Sequence, residues 1–237
     1  MKTQTITTVS TKGGTGKTTV NTLIAETLAA EGKRVLLIDL DPNLTMTQTF
    51  NLVLADNTSK DLISGITVQP YSITNKLDFI PADLDLSFLA NIMDTQLKNC
   101  LQKGGYIGNY DYIIIDPPGH WCSLSRNAIF ACQKMIVTGN CSKIDFYATS
   151  KFMQTLQNCC LDVDLSVVVN QFKTKLNEPE ALEMYQNAFA DYLYKEPIPQ
   201  CVTLKKITSQ PDLILPARIK NKLIDFVHEM SITEEAE

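Results

Sequence analysis

Short, mostly apolar runs punctuate the chain at Val35–Ile38, Leu77–Ile80, Tyr112–Ile115, Met135–Thr138 and Val167–Asn170. A sixth, Ile6–Ser10, feeds a glycine-rich loop. Between them the apolar residues recur at helical spacing. Thr18–Glu31 places Val20, Leu23, Ile24, Leu28 and Ala29 at that period, and Gly32 stops it. Further helices are expected over Asp83–Lys103, 122–132, 145–161, 178–193 and 215–230. Strands that are apolar throughout are buried on both faces. Alternating with helices, they predict an α/β fold, a doubly wound and mainly parallel sheet with helices on both sides. With no internal repeat, low-complexity tract or linker, residues 1–237 read as one domain. In such sheets ligands bind beyond the carboxyl ends of the strands, and the polar motifs fall there.

The first motif is STKGGTGKTT, Ser10–Thr19. Gly13, Gly14 and Gly16 let the backbone curl so that successive N–H groups, including that of Thr15, face one point. The helix beginning near Lys17 adds its positive end, which suits a phosphate. Lys17 is placed to reach the terminal phosphates, Thr18 to offer its hydroxyl to Mg²⁺, and Thr19 to complete the nucleotide-binding set. A second lysine, Lys12, has no place in the ordinary phosphate loop, where the first glycine would stand at Thr11. The second motif, LLIDLDP, ends a buried strand in Asp39 and Asp41, separated by one residue. Alternate residues of an extended chain point the same way, so one carboxylate can serve the metal and the other can position water. The third, YDYIIIDPPG, ends another strand in Asp116, a candidate to hold Mg²⁺ through water. Pro117, Pro118 and Gly119 then force a non-helical segment where a γ-phosphate sensor could lie. The plainer alternatives are a ligand-free glycine turn, an acidic turn closed by Pro42, and a strand that merely ends in Asp. The order strand, GGTGKTT, helix speaks against the first and lends weight to the other two sites.

TKGGTGKTT, VLLIDLDP and YDYIIIDPPG, in this order and spacing, resemble the ParA/MinD group of deviant Walker ATPases. The resemblance covers about the first 150 residues well and the rest loosely. It implies ATP and Mg²⁺ as cofactors. It implies a homodimer formed around ATP, in which Lys12 crosses the interface to the other subunit's phosphates. The alternative is that Lys12 serves its own subunit's nucleotide or faces solvent. It further implies that Asp41 orients the attacking water, that Asp39 and Asp116 serve the magnesium, and that hydrolysis is slow until a ParB-like or cargo-adaptor protein stimulates it. The chain departs from the family pattern where Asn43 follows Pro42, and in DPPGHW after the third strand. Asn170 could read the adenine edge and Pro199 could pack on the base; a strand-end Asn is equally a turn residue.

Composition narrows the use. The net charge is −5, which excludes a protein that coats itself in nucleic acid through global charge, though not a local patch. Such a patch is expected at the C-terminal end, where Lys205, Lys206, Arg218, Lys220 and Lys222 face the single acid Asp212 within residues 201–222. Phosphate backbones require charge without base readout, so nonspecific DNA is the expected partner, a solvated basic face the alternative. No stretch approaches eighteen consecutive apolar residues, and the chain ends SITEEAE, a poor membrane anchor, so no membrane is expected and MinD-like placement is the runner-up. Seven cysteines at irregular spacing, with no C-x-x-C, suggest reduced and mostly buried thiols in a cytoplasmic protein rather than a metal-cluster enzyme. With only a few residues before the first strand, no operator-binding helix-turn-helix is expected, and the small ParA type is the expected one. Partition or positioning of a plasmid, chromosome or other cargo is the expected task, with the ATP form on the nucleoid. A nucleotide-gated scaffold with vestigial hydrolysis is the other class. His120 and Trp121 are expected to be structural, or to line a dimer or partner surface.

Overall fold

A computed structural model describes residues 2–89, 92–159, 161–172, 179–201 and 217–231. Seven strands form one sheet: β1 Gln4–Val9, β2 Val35–Asp39, β3 Tyr71–Ser72, β4 Leu77–Ile80, β5 Tyr112–Asp116, β6 Lys134–Asn140 and β7 Asp164–Asn170. Their order is β3-β4-β2-β5-β1-β6-β7, and only the short β3 runs antiparallel to its neighbour. The helices are α1 Lys17–Ala30, α2 Thr45–Thr49, α3 Ser59–Ile63, α4 Gln96–Lys103, α5 Ser123–Ala131, α6 Lys143–Asn158, α7 Pro179–Ala188 and α8 Ala217–Ser231. Apolar clusters on the two faces of the sheet make it the doubly wound fold expected of the strand pattern. β1 is central and wholly buried although its sequence, QTITTV, is mostly polar. The Thr7 hydroxyl donates to the Ile115 carbonyl at 2.9 Å and that of Thr8 to Asn21 Oδ1 at 2.6 Å, so neither is left unpaired.

The expected helix over Asp83–Lys103 is a correction. Among the described residues there, only Leu84–Phe88, a 3₁₀ turn, and α4 are helical, and Leu84 and Phe88 are exposed. The start of α4 is set from a distance. Asn127, on α5, accepts the Leu97 N–H at 2.8 Å and donates to the Met93 carbonyl at 3.0 Å. α7 ends earlier than the expected 193. The chain beyond it instead lies along β7, with Val167 N–H donating to Tyr192 O at 2.7 Å and Ile198 N–H to Val169 O at 2.9 Å. This irregular pairing covers the sheet edge and fixes the segment that carries Pro199. Among the described cysteines only Cys100 and Cys132 are buried; Cys159 is exposed and the others half-buried, contrary to the expectation of mostly buried thiols.

Candidate functional site

The phosphate loop leaves β1 at its carboxyl end and enters α1 through Gly16. Gly14 and Gly16 have φ of 78° and 90°, conformations that L side chains rarely adopt. Gly16 is doubly constrained, since a Cβ there would lie 2.2 Å from Asn170 Nδ2. The loop is pinned from β6 and β7. Thr138 Oγ1 donates to Thr15 Oγ1 at 3.1 Å, Asn170 Nδ2 donates to Thr15 O at 2.7 Å, and the Gln171 amide donates to Gly14 O. Gly119, after β5, closes the other side: a Cβ there would sit 3.1 Å from both Gly13 Cα and Lys17 Nζ.

Lys17 is buried, only 6% exposed, and makes no ion pair among the described residues. Burial holds its pKa below the ordinary value, although Asp116 and Asp41 both pull it upward. Asp116 and Asp39 end adjacent strands in register. Asp116 accepts from Thr18 Oγ1 at 2.8 Å and from Asn21 Nδ2 at 2.7 Å. Asp39 accepts the Asp41 N–H at 2.9 Å on one oxygen, and the Thr47 N–H at 3.0 Å and hydroxyl at 2.8 Å on the other. Desolvation raises the pKa of both carboxyls, and each lies near a further carboxylate that adds to the rise. Hydroxyl and carboxylate oxygens beside a phosphate loop are a donor set for a hard cation. No cluster of three or more His, Cys, Asp or Glu fit to hold a metal occurs among the described residues. Mg²⁺ commonly takes one or two protein ligands and completes its shell with water and phosphate, so Thr18 and Asp116 are enough to hold it.

Asp41 stands in the loop after β2, where Asn43 donates to its Oδ1 from both main chain and side chain at 2.9 Å. Asn43, noted only as a departure from the family pattern, thus holds the Asp41 carboxylate. Lys12 has a side chain 41% exposed and pairs with Asp145 at 3.1 Å. Asp145 lies in the first turn of α6, where Ser142 donates to its other oxygen at 2.7 Å. Trp121 is half exposed and packs edge-on against Phe152 of α6, with ring centroids 5.6 Å apart.

Asn170 and Pro199 line one small cleft of about 40 Å³ with Gly16, Val20, Ile198 and Cys201. The Asn170 amide is already engaged, its nitrogen on Thr15 and its oxygen on the Gln171 N–H at 2.8 Å. It therefore braces the phosphate loop in this state. A wider groove of about 430 Å³, lined by Arg34, Lys76, Asp78, Tyr106 and Tyr110, opens at the opposite ends of the strands, away from every phosphate-site group. Of the expected basic patch, Lys205 and Lys206 lie outside the described residues, as do the side chains of Arg218 and Lys220. Lys222 is ion-paired with Glu196.

A doubly wound sheet with such a loop at its strand ends defines a P-loop nucleotide-binding protein. The AAA domain family matches residues 3–169, and the chain belongs to that family, within its ParA/MinD branch of partition and positioning ATPases. It is 29% identical over 220 residues to cell division protein PomZ of Myxococcus xanthus, covering 84% of this chain and 67% of PomZ. It is 29% identical over 222 residues to sporulation initiation inhibitor protein Soj of Bacillus subtilis, covering 84% and 85%. In structure it is similar to a Borrelia burgdorferi protein assigned to plasmid partition and bound to AMPPNP, with TM-score 0.83, 22% identity and coverage of 98% and 100%. Similarity extends to a cobyrinic acid a,c-diamide synthase of Mycobacterium smegmatis with ADP and magnesium, at TM-score 0.73, 22% identity and coverage of 95% and 93%. The fold is therefore shared with enzymes of other tasks, and the site must carry the function. Among the described residues no helix is long and apolar enough to cross a membrane.

Proposed function

We propose that this chain is a ParA-type ATPase that dimerises around ATP, holds nonspecific DNA in that state, and hydrolyses ATP slowly until a partner protein accelerates it. Its task would be to segregate or position a plasmid, chromosome or other large cargo. The observation that carries the proposal is the pair of lysines on one loop. Lys17 is buried in its own site, whereas Lys12 is half-exposed and paired with Asp145.

In this reading the loop N–H groups and Lys17 bind the β- and γ-phosphates. Thr18 and Asp116 would hold Mg²⁺, with Asp39 behind them, and the ion would neutralise charge on those phosphates. Asp41, fixed by Asn43, orients a water in line with the γ-phosphorus. Lys12 of each subunit gives up Asp145 and reaches the other subunit's phosphates, a charge-assisted contact that exists only in the ATP dimer. Phosphoryl transfer needs mainly positioning and charge neutralisation, so a site completed by dimerisation acts as a timer. Sequence similarity to chromosome-partitioning relatives supports the segregation task. The basic C-terminal segment supports the DNA partner.

The test is duplex DNA binding and light-scattering mass for wild type, Lys12→Gln, and a variant lacking the charges of Lys205, Lys206, Arg218, Lys220 and Lys222, each with ADP and with ATP–Mg²⁺. Only wild type with ATP should be both dimeric and DNA-bound. A wild type that dimerises on ATP yet ignores DNA at low salt would end the DNA claim and leave the switch. Turnover equal to that of Asp41→Ala, and undetectable, would favour a nucleotide-gated scaffold.

A further inference from the structure

We infer that Thr47 is a positioning residue for the hydrolytic loop, holding Asp39 and, through it, the main chain of Asp41. The inference rests on the hydrolytic role of Asp41 proposed above. Thr47 is fully buried on the short helix α2. Its hydroxyl donates to Asp39 Oδ2 at 2.8 Å and accepts the Ala82 N–H at 2.8 Å. Its own N–H donates to the same carboxylate oxygen at 3.0 Å. The other oxygen, Oδ1, accepts the Asp41 N–H at 2.9 Å. The Asp39 carbonyl accepts the Ser59 hydroxyl at 2.6 Å.

Asp39 is therefore occupied on both carboxylate oxygens, and what it grips is the start of the loop that carries Asp41. Thr47 sets the rotation of that carboxylate and ties it to the exit of β4 at Ala82. The Asp41 backbone thus takes its position from the sheet, while Asn43 orients its side chain. Removing the hydroxyl leaves the Ala82 N–H and part of the Asp39 carboxylate without their partners in a buried place. The loop must then shift to recover them. In-line attack depends on sub-ångström placement of the water, so a small shift at Asp41 is costly to turnover. Phosphate binding rests on other groups, those of Gly13–Thr18, to which Thr47 is not hydrogen-bonded.

Two roles can be told apart. A threonine that merely packs α2 against the core would, when changed, weaken nucleotide binding and turnover together through lost stability. A positioning threonine separates them. Steady-state turnover at saturating ATP–Mg²⁺ and ADP affinity by calorimetry should be measured for the full chain as wild type, Thr47→Val, Thr47→Ser and Asp41→Ala. Thr47→Val should lower turnover by about 10- to 100-fold, the range for residues that orient a site from behind, with ADP affinity unchanged. Thr47→Ser keeps the hydroxyl and should retain wild-type turnover. If the valine variant does not fold, Thr47→Ala is read in the same way. Wild-type turnover in Thr47→Val, parallel losses of affinity and turnover, or a serine variant as impaired as the valine one would each overturn the inference. A wild type no faster than Asp41→Ala would instead remove the hydrolytic reading and this inference with it.

Discussion

Two lysines five residues apart occupy opposite physical environments. Lys17 is buried, without an ion pair among the described residues, and desolvation lowers its pKa. Lys12 is exposed over 41% of its side chain and neutralised by Asp145. A buried cation lacking a full partner costs the ligand-free fold free energy and repays it only when an anion arrives. A surface pair is worth about 0–1 kcal/mol and can be exchanged cheaply. One lysine is thus committed to its own loop, and the other is free to leave for a stronger contact.

The largest effect is expected from Lys17→Ala. Nucleotide affinity should fall by about 10- to 100-fold, the equivalent of a hydrogen bond to a charged group. The melting temperature of the ligand-free protein should not fall, because the lost group was poorly compensated. Calorimetry and thermal melts check both, and a marked drop in melting temperature would break the contrast. Next comes Lys12. Lys12→Gln should keep ADP affinity but lose the ATP-dependent dimer in sedimentation. Asp145→Asn should act in the opposite sense, since it frees Lys12. It should change ligand-free stability by less than about 1 kcal/mol and let the ATP dimer form at lower protein concentration. A Lys12→Gln protein that dimerises like wild type would show that the surface lysine never leaves Asp145.

A separate test asks whether burial alone can move a charge on the same helix. Glu26, on α1, has its carboxyl pushed by burial from its ordinary 4.5 to about 7. The folded state then holds the proton more tightly than the unfolded chain. The resulting stability is complete below the ordinary value and lost as pH rises through about 7. Glu26→Gln should therefore flatten the pH profile of stability in urea melts. Above neutrality it should be the more stable protein, by on the order of 1–3 kcal/mol. An unchanged profile would mean that burial is not what moves these groups.

Much of this was legible in the chain. Continuous apolar runs at Val35–Ile38 and Tyr112–Ile115 fix buried parallel strands, and the order of glycines before Lys17 fixes the loop. Less legible was β1, whose threonines look polar until their hydroxyls find Ile115 and Asn21. Asn21 and Thr47 gave no sequence signal, because each acts on a carboxylate brought near by folding. The Asp41-Pro42-Asn43 run did give one: Asp41 is an Asx-turn residue whose carboxylate accepts the N–H two places on, so Asn43 could have been read as its brace.

The sequence by itself determined the class of fold, the phosphate loop and the three acidic positions, because these follow from local periodicity and from residues only a few places apart. Only the tertiary structure decided where α4 begins, which carboxylate is gripped and by what, that Asn170 braces Thr15, and that Lys12 rests on Asp145. Those pairings join residues from 8 to 155 positions apart, and no local pattern encodes which donor the folded chain will carry to which acceptor.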